Sequence, residues 1–380
     1  MKILLLNDYS GLHATLGKGL KERGHEVTVV SNGNGWRNYP RDISLVRHSS
    51  SHLEGIRYLM HVWATLPKLR GYDIVQLINP IFFDVKPERL FPIYRYLRKH
   101  NKKVVLGAFG EDSIWARTCM EKKPLRYSDH NIGDEVRTDP ASTRLLDVWV
   151  GTSHERLTKM IADDCDGIVA CLYEYMAVYQ PLFPQKTTFI PLPIEMPAEQ
   201  PLVKEENKTK TRIFIGIDAQ RSDYKGTDIM LPAAEKVLER HPDKMELVKA
   251  VSVPFAEYQQ MMNGSDAILD QLYSYTPSMN SLLAMSKGII DIGGGEPENY
   301  EILHEDELRP IINVLPTAES VEQEVEKLVM HPERIPELKR QSVEYVRRHH
   351  DYQKVAEQYE AFYASLLRGD NTQSFITASN

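Results

Sequence analysis

The first thirty residues constrain the fold more than any other part of the sequence. Ile3-Leu4-Leu5-Leu6 is an unbroken apolar run, and a strand buries all of such a run only when both of its faces are covered. Ser10-Gly11 interrupts it. Leu12, Leu16 and Leu20 then recur at helical spacing, Gly24 closes the helix, and Glu26-Val27-Thr28-Val29-Val30 supplies a second strand. Strand, helix and strand in so short a span predict a parallel βαβ unit.

The same rhythm continues. Strands are expected at residues 74–78, 104–106 and 167–170 with helices between them, which makes a doubly wound sheet. Near residues 191–210 the pattern gives way to Pro191, Pro193 and a polar Lys/Glu-rich stretch, the composition of an interdomain hinge. A second series follows, with strands at 212–217, 246–251, 267–269 and 289–292 and helices at 230–241, 255–263 and 281–287. One amphipathic helix is expected over 343–367, then a disordered tail over 368–380. The expected fold class is α/β, with two doubly wound Rossmann-like domains: residues 1–190, a hinge at 191–210, and residues 211–342.

The net charge of −7 is unevenly spread. The N-terminal half is basic and the C-terminal half strongly acidic, which argues against nucleic acid as a general partner. The dense stretch from Lys86 to Lys103, with Arg95, Arg98, Lys99, Lys102 and Lys103 near its end, is either a solvated helix face or a surface for anionic lipid heads. Cys119, Cys165 and Cys171 form no CxxC pair, so neither zinc nor a disulfide framework is expected. No apolar run approaches the roughly 20 residues of a bilayer span, and the apolar start soon meets Asn7-Asp8, which speaks against a secretory signal. The expected location is cytoplasmic, with peripheral contact at the inner face of an anionic membrane through the basic domain.

Three segments of the second half can hold phosphate or hydroxyl groups. In Asp218-Ala219-Gln220-Arg221-Ser222-Asp223-Tyr224-Lys225-Gly226-Thr227-Asp228 a strand ends, and two cations precede a glycine that opens a helix. Arg221 and Lys225 can neutralise a diphosphate and Gly226 lets backbone approach; the segment also reads as a charged surface loop. Tyr273-Ser274-Tyr275-Thr276-Pro277-Ser278-Met279-Asn280-Ser281 joins a strand to an apolar helix that Ser278 can cap, and free N–H groups at such a start attract anions. Gly293-Gly294-Gly295-Glu296-Pro297-Glu298-Asn299-Tyr300-Glu301 follows a strand, with glycines that admit a ligand and carboxylates that accept from sugar or ribose hydroxyls. All three end strands of one domain, the edge where ligands sit in open α/β sheets.

These segments together resemble nucleotide-sugar glycosyltransferases of the GT-B fold, and most closely the large retaining family four. Arg23-Gly24-His25-Glu26-Val27-Thr28-Val29 is similar to the end of that family's first βαβ unit, Lys225-Gly226 with Arg221 to its diphosphate-binding pair, and Asn263-Gly264-Ser265-Asp266 to the segment entering the donor site. Leu283-Ala284-Met285-Ser286-Lys287-Gly288 resembles its "EAMAxG" helix, and Gly294 to Glu301 its donor loop. The resemblance implies two domains facing across a cleft, the donor in the second, the acceptor in the first, and a final helix that returns to the first. It departs at one point. The family's two glutamates, eight residues apart, fall on Tyr275 and Leu283, so the ribose is assigned to Glu298 or Glu301 and the sugar to Tyr275 or Asn280.

In the first half, Gly110-Glu111-Asp112 ends a strand where similar enzymes carry a cleft-facing acid. Glu111 or Asp112 can serve as a base toward an acceptor hydroxyl, or Asp112 can simply cap a helix. Ser10 and Gly11 form the other such turn, beside His13 as a further catalytic candidate. The reaction expected is transfer of a sugar from a UDP- or GDP-sugar to a saccharide or lipid-linked hydroxyl. Arg221, Lys225 and the helix start at Ser278, Met279 and Asn280 would stabilise the leaving diphosphate. No cofactor or metal is expected, since Asp163-Asp164-Cys165-Asp166 falls in a helix-like stretch rather than at a strand end. A non-catalytic nucleotide-sugar-binding subunit and a sugar-nucleotide epimerase fit the same residues.

Overall fold

A computed structural model describes residues 1–34, 38–198, 209–218 and 221–370; most of the expected hinge and the tail from 371 onward lie outside them. The chain divides into two compact units. The first holds Met1–Pro124, Leu145–Pro193 and the helix Tyr352–Arg368. Its sheet has seven strands in the order Ile43–Ser44, Glu26–Ser31, Lys2–Leu6, Ile74–Leu77, Lys103–Ala108, Gly167–Ala170 and Thr187–Phe189. Every pairing is parallel. Ile3, Leu4, Leu5 and Leu6 are fully buried at its centre, as the unbroken apolar run requires.

Buried polar bonds tie the helix Tyr352–Arg368 to this sheet. Tyr363 Oη donates to Gln76 Oε1 (2.6 Å), Gln76 Nε2 donates to His13 Nε2 (3.1 Å), and His13 Nδ1 donates to the Asn7 carbonyl (2.7 Å). Gly19 lets the helix approach, because a Cβ there would lie 2.8 Å from that of Ala356.

The second unit holds Leu125–Arg144 and Ile194–Asp351. Its five parallel strands run in the order Met245–Val251, Thr211–Ile217, Ala267–Leu269, Ile290–Gly293 and Ile312–Asn313. Ile213 and Ile215 pack in one apolar layer and Phe214 in the other, the alternation a doubly covered strand imposes. The strand order reverses between Thr211–Ile217 and Ala267–Leu269, so the loops after those two strands open at the point where such sheets bind ligands.

Two boundaries differ from the sequence reading. The helix expected over 343–367 is two helices, Ile335–His349 in the second unit and Tyr352–Arg368 in the first. Apolar spacing runs straight across the break, but the His350 carbonyl accepts from Ile194 N (2.7 Å), and the chain turns there. Residues Leu125–Arg144, expected in the first domain, pack with the second unit as a loop and a short hairpin, Asn131–Ile132 with Glu135–Val136. Asn131 holds that loop from inside, its Nδ2 donating to the carbonyls of Leu125 and Gly133 at 3.0 Å.

Tyr363→Phe should cost about 1–3 kcal/mol, because it leaves the buried Gln76 Oε1 without its donor; urea denaturation measures it. Glu305 is buried and accepts from the N–H groups of Glu307 and Leu308 (2.8 Å each) and from His349 Nε2 (2.6 Å). Burial alone would raise its carboxyl, but these donors prevail and hold it down at about 2. A carboxyl depressed in the folded state stabilises above its unfolded value and loses that contribution as pH falls through the folded one. Glu305→Gln should therefore lower Tm at pH 7, with the difference from wild type shrinking between about pH 4.5 and pH 2.

Candidate functional site

In the first unit, the turn after the strand Lys2–Leu6 carries Asn7, Ser10 and Gly11 at φ of 62°, 53° and 84°. Gly11 is required by that angle and by the Tyr39 ring, which would lie 2.7 Å from an added Cβ. The helix Leu12–Glu22 starts here, yet its N-terminus is already occupied. The carboxylate of Asp8 accepts from His13 N and Ala14 N at 3.2 Å each. Burial raises Asp8 to about 6, against the pull of those amides. The first amides of this helix, beside the turn of Ser10 and Gly11, thus already serve the protein's own carboxylate.

Two of the three catalytic candidates turn inward. His13 is fully buried and held neutral between Gln76 and the Asn7 carbonyl, with burial lowering its pKa to about 4. Asp112 is also fully buried. Its Oδ1 caps the helix Ser113–Glu121 by accepting from Ile114 N (2.8 Å) and Trp115 N (2.9 Å), and its Oδ2 accepts from Tyr179 Oη (2.7 Å). Both side chains are structural. Glu111 keeps a solvent-facing part, and burial together with neighbouring Asp112 pushes its carboxyl well above the usual range.

The second unit brings three of its expected residues, Lys225, Ser278 and Asn280, together around a carboxylate that the sequence reading passed over. Asp270 directly follows the strand Ala267–Leu269 and is buried. Its Oδ1 accepts from Lys225 Nζ (3.2 Å) and Asn280 Nδ2 (2.9 Å); its Oδ2 faces Ser281 Oγ (3.0 Å) and Ser278 Oγ (3.4 Å). Burial would raise this carboxyl, but Lys225, Asn280 and Ser281 together bring it below the ordinary value. Ser281 Oγ also lies 2.9 Å from Asp291 Oδ1. Asp291 is fully enclosed, and burial and the Asp270 charge push it well above the carboxylate range. A hydroxyl has one proton to give, so Ser281 donates to only one of these two carboxyls at a time.

This arrangement corrects several readings. Ser278 stands at the N-cap position of the helix Met279–Ser286 without capping it, because its hydroxyl is drawn to Asp270. The first N–H groups, from Met279 onward, therefore have no side-chain cap. Asn280 points to Asp270 and to Tyr258 Oη (2.9 Å). Gly226, at φ 76°, makes room for Leu272, whose Cβ would lie 2.5 Å from an added Cβ. Gly294 faces the Ser274 carbonyl at 2.3 Å and Gly295 the Ile311 side chain at 2.7 Å on the same test, so protein rather than ligand demands these glycines. Arg221 is exposed, with its guanidinium 4.8 Å from the Tyr224 ring centroid.

Tyr275 is buried, where the resembled family carries its first glutamate. Its Oη accepts from Arg126 N (2.6 Å), and the Arg126 guanidinium stacks 4.8 Å from its ring. Burial raises the phenol to about 12. Arg126 also pairs with Glu298 (2.5 Å) and Glu296 (2.8 Å), and Tyr127 Oη donates to Glu296 (2.5 Å). Arg126 holds the Glu298 carboxyl below its usual range. Arg137, from the same segment, stacks 3.6 Å over Tyr273 and donates to the Asp223 carbonyl (3.3 Å). Glu298 is thus engaged by protein, while Glu301 is exposed on a pocket of about 370 Å³ with Gly295, Pro297, Tyr300, Asp306 and Arg309. Asp270 had a signal in the sequence, a lone acid ending an apolar strand; Arg126 and Arg137 had none, being remote in sequence from the residues they touch.

No family model matches the sequence, and no curated protein matches it. Solved structures do. Sucrose-phosphate synthase from Thermosynechococcus elongatus aligns over 97% of this chain and 100% of its own, with a TM-score of 0.62 at 12% identity. The catalytic domain of starch synthase IV from Arabidopsis thaliana, bound to ADP and acarbose, aligns over 97% and 99%, with a TM-score of 0.60 at 12% identity. HepE from Anabaena, in complex with UDP and glucose, aligns over 96% and 100%, with a TM-score of 0.55 at 12% identity. At such identities the likeness is one of fold: the chain has the GT-B architecture of two Rossmann-like α/β units.

Proposed function

We propose that this protein is a glycosyltransferase that takes a sugar from a nucleoside-diphosphate sugar of the UDP or GDP type. The acceptor is a saccharide or lipid-linked hydroxyl, and no metal takes part. One observation carries the reading: at the switch point of the second sheet, Asp270 brings Lys225 and the uncapped start of the helix Met279–Ser286 to a single point. A cation and free amide donors at a strand's C-terminal edge are what a leaving diphosphate requires. The fold supports it, since ADP and UDP are bound in two of the structures it resembles.

In this reading Arg221 and Lys225 take the diphosphate charge, and the helix N–H groups from Met279 onward bind its oxygens. Fixed donors of this kind contribute about 3 kcal/mol each to a developing anion. Glu301 is assigned the ribose. Glu111, in the first unit, is assigned to the acceptor hydroxyl, and its raised carboxyl suits a base. A lipid-linked acceptor lies at a membrane surface, so peripheral association with anionic lipid at the inner face belongs to the proposal.

Lys225→Ala would leave Asp270 buried without its countercharge, so Arg221→Ala is the cleaner variant. It should weaken nucleoside-diphosphate binding about tenfold, or 1.4 kcal/mol, with Tm unchanged. Titration calorimetry with UDP, GDP and ADP reads this, and unaltered affinity would remove Arg221 from the site. Turnover of a nucleotide-sugar panel, followed by mass, separates the classes: transfer with acceptor supports the proposal, donor conversion without acceptor marks an epimerase, and binding without product marks a partner subunit. Turnover should survive EDTA; loss that Mn²⁺ restores would overturn metal independence.

A further inference from the structure

The helix His52–Thr65 of the first unit is apolar on two sides. Tyr58, Val62 and Thr65 are buried. On the opposite side Leu53, Ile56, Met60 and Trp63 are 80%, 45%, 61% and 44% exposed. Steps of three, four and three residues place these four on one stripe about 80° wide at 100° per residue. The other large apolar side chains exposed among the described residues stand singly, each on a different element or loop, whereas these four share one face. Isolated surface hydrophobics are ordinary; a stripe of four that includes a tryptophan marks a binding face.

Charge identifies what binds there. Arg57 and His61 flank the stripe, and Lys68 and Arg70 follow the helix, all exposed. Among the described residues Arg57, Lys68 and Arg70 have no carboxylate partner. Glu54 is the one acid on the helix. The basic stretch ending at Lys103 is different: Arg98 is held by Asp164 and Asp166, Lys102 by Asp73 and Lys103 by Asp166. Its helix, Pro87–His100, buries Leu90, Ile93, Tyr94 and Leu97, and among its cations Arg89, Arg95 and Lys99 remain exposed, with no apolar stripe beside them.

We propose that the helix His52–Thr65 is a membrane-docking surface that lies in the plane of an anionic bilayer, with Leu53, Ile56, Met60 and Trp63 sunk among the acyl chains and Arg57, Lys68 and Arg70 on headgroup phosphates. No described helix is long and apolar enough to cross a membrane, and this one, about 21 Å long, needs only to lie on it. The inference rests on the peripheral-association part of the functional reading, not on sugar transfer. It moves the contact from the basic stretch to a helix that carries both apolar area and unspent charge.

Vesicle co-sedimentation tests it with the full chain and two lipid compositions, phosphatidylcholine alone and with 30% phosphatidylglycerol. Wild type should bind the anionic vesicles at least about tenfold more tightly than the neutral ones, less so in 0.5 M salt, with a blue shift of tryptophan emission. The double variant Leu53→Ser/Met60→Ser and the single variant Trp63→Ser alter exposed side chains, so Tm should hold while anionic-vesicle binding falls at least about tenfold. Variants that bind as wild type does would overturn the proposal. So would a wild type that ignores vesicles but forms dimers dispersed by the same substitutions, which would make the face a self-association surface. Transfer to a water-soluble acceptor should be unchanged in these variants; its absence from wild type as well would count against the transferase reading alone.

Discussion

The second unit is organised around one buried anion. Asp270 sits where the strand order reverses and is bonded or ion-paired to Lys225, just before Gly226, and to Ser278, Asn280 and Ser281 at the start of the helix Met279–Ser286. A carboxylate in such a place is expensive unless its charge is paired and its oxygens are satisfied. Asp270 meets both conditions, and those same bonds fix the geometry of the site. Lys225 stays at the helix start, and Ser278 is drawn off the cap. Behind it, Ser281 also meets Asp291, whose carboxyl burial and the Asp270 charge push well above the usual range. In the proposed reading, the diphosphate would meet groups already held in place by a protein anion.

The segment Leu125–Arg144 braces the loop between the strand Ala267–Leu269 and the helix Met279–Ser286. The resembled family carries a glutamate where this chain has Tyr275. Here the position belongs to a stack: Arg126 lies against the Tyr275 ring, Tyr127 tilts against it with centroids 4.8 Å apart, and Glu296 and Glu298 close the charge. Arg137 does the same to Tyr273. The loop between strand and helix is thus fixed by cation–π and ion-pair contacts from one side and by Gly294 from the other.

Local periodicity carried most of the architecture. The unbroken run at Ile3 to Leu6 identified a central parallel strand, and the second strand-helix series identified a second sheet, because burial on both faces leaves a mark in each strand separately. Lys225 stood out as a cation between a strand end and a glycine, and its side chain reaches the buried Asp270. What escaped depends on contacts between distant residues. Asp112 reads equally as a base or as a helix cap; only burial and partners decide, as they do for His13. Gly294 reads as ligand access until the Ser274 carbonyl is seen against it. The turn at His350 and the transfer of Leu125–Arg144 to the second unit follow from pairings with remote partners that no window of sequence contains.

The central claim is that the donor diphosphate binds where Asp270 gathers Lys225 and the start of the helix Met279–Ser286. A crystal structure of the protein with a nucleoside diphosphate tests it most directly. The account predicts phosphate oxygens within hydrogen-bond distance of Lys225 Nζ and of the first backbone N–H groups of that helix, with the ribose toward Glu301. A nucleotide bound at the turn of Ser10 and Gly11 with Asp8 displaced, or one that leaves Lys225 in contact with Asp270 alone, would contradict it.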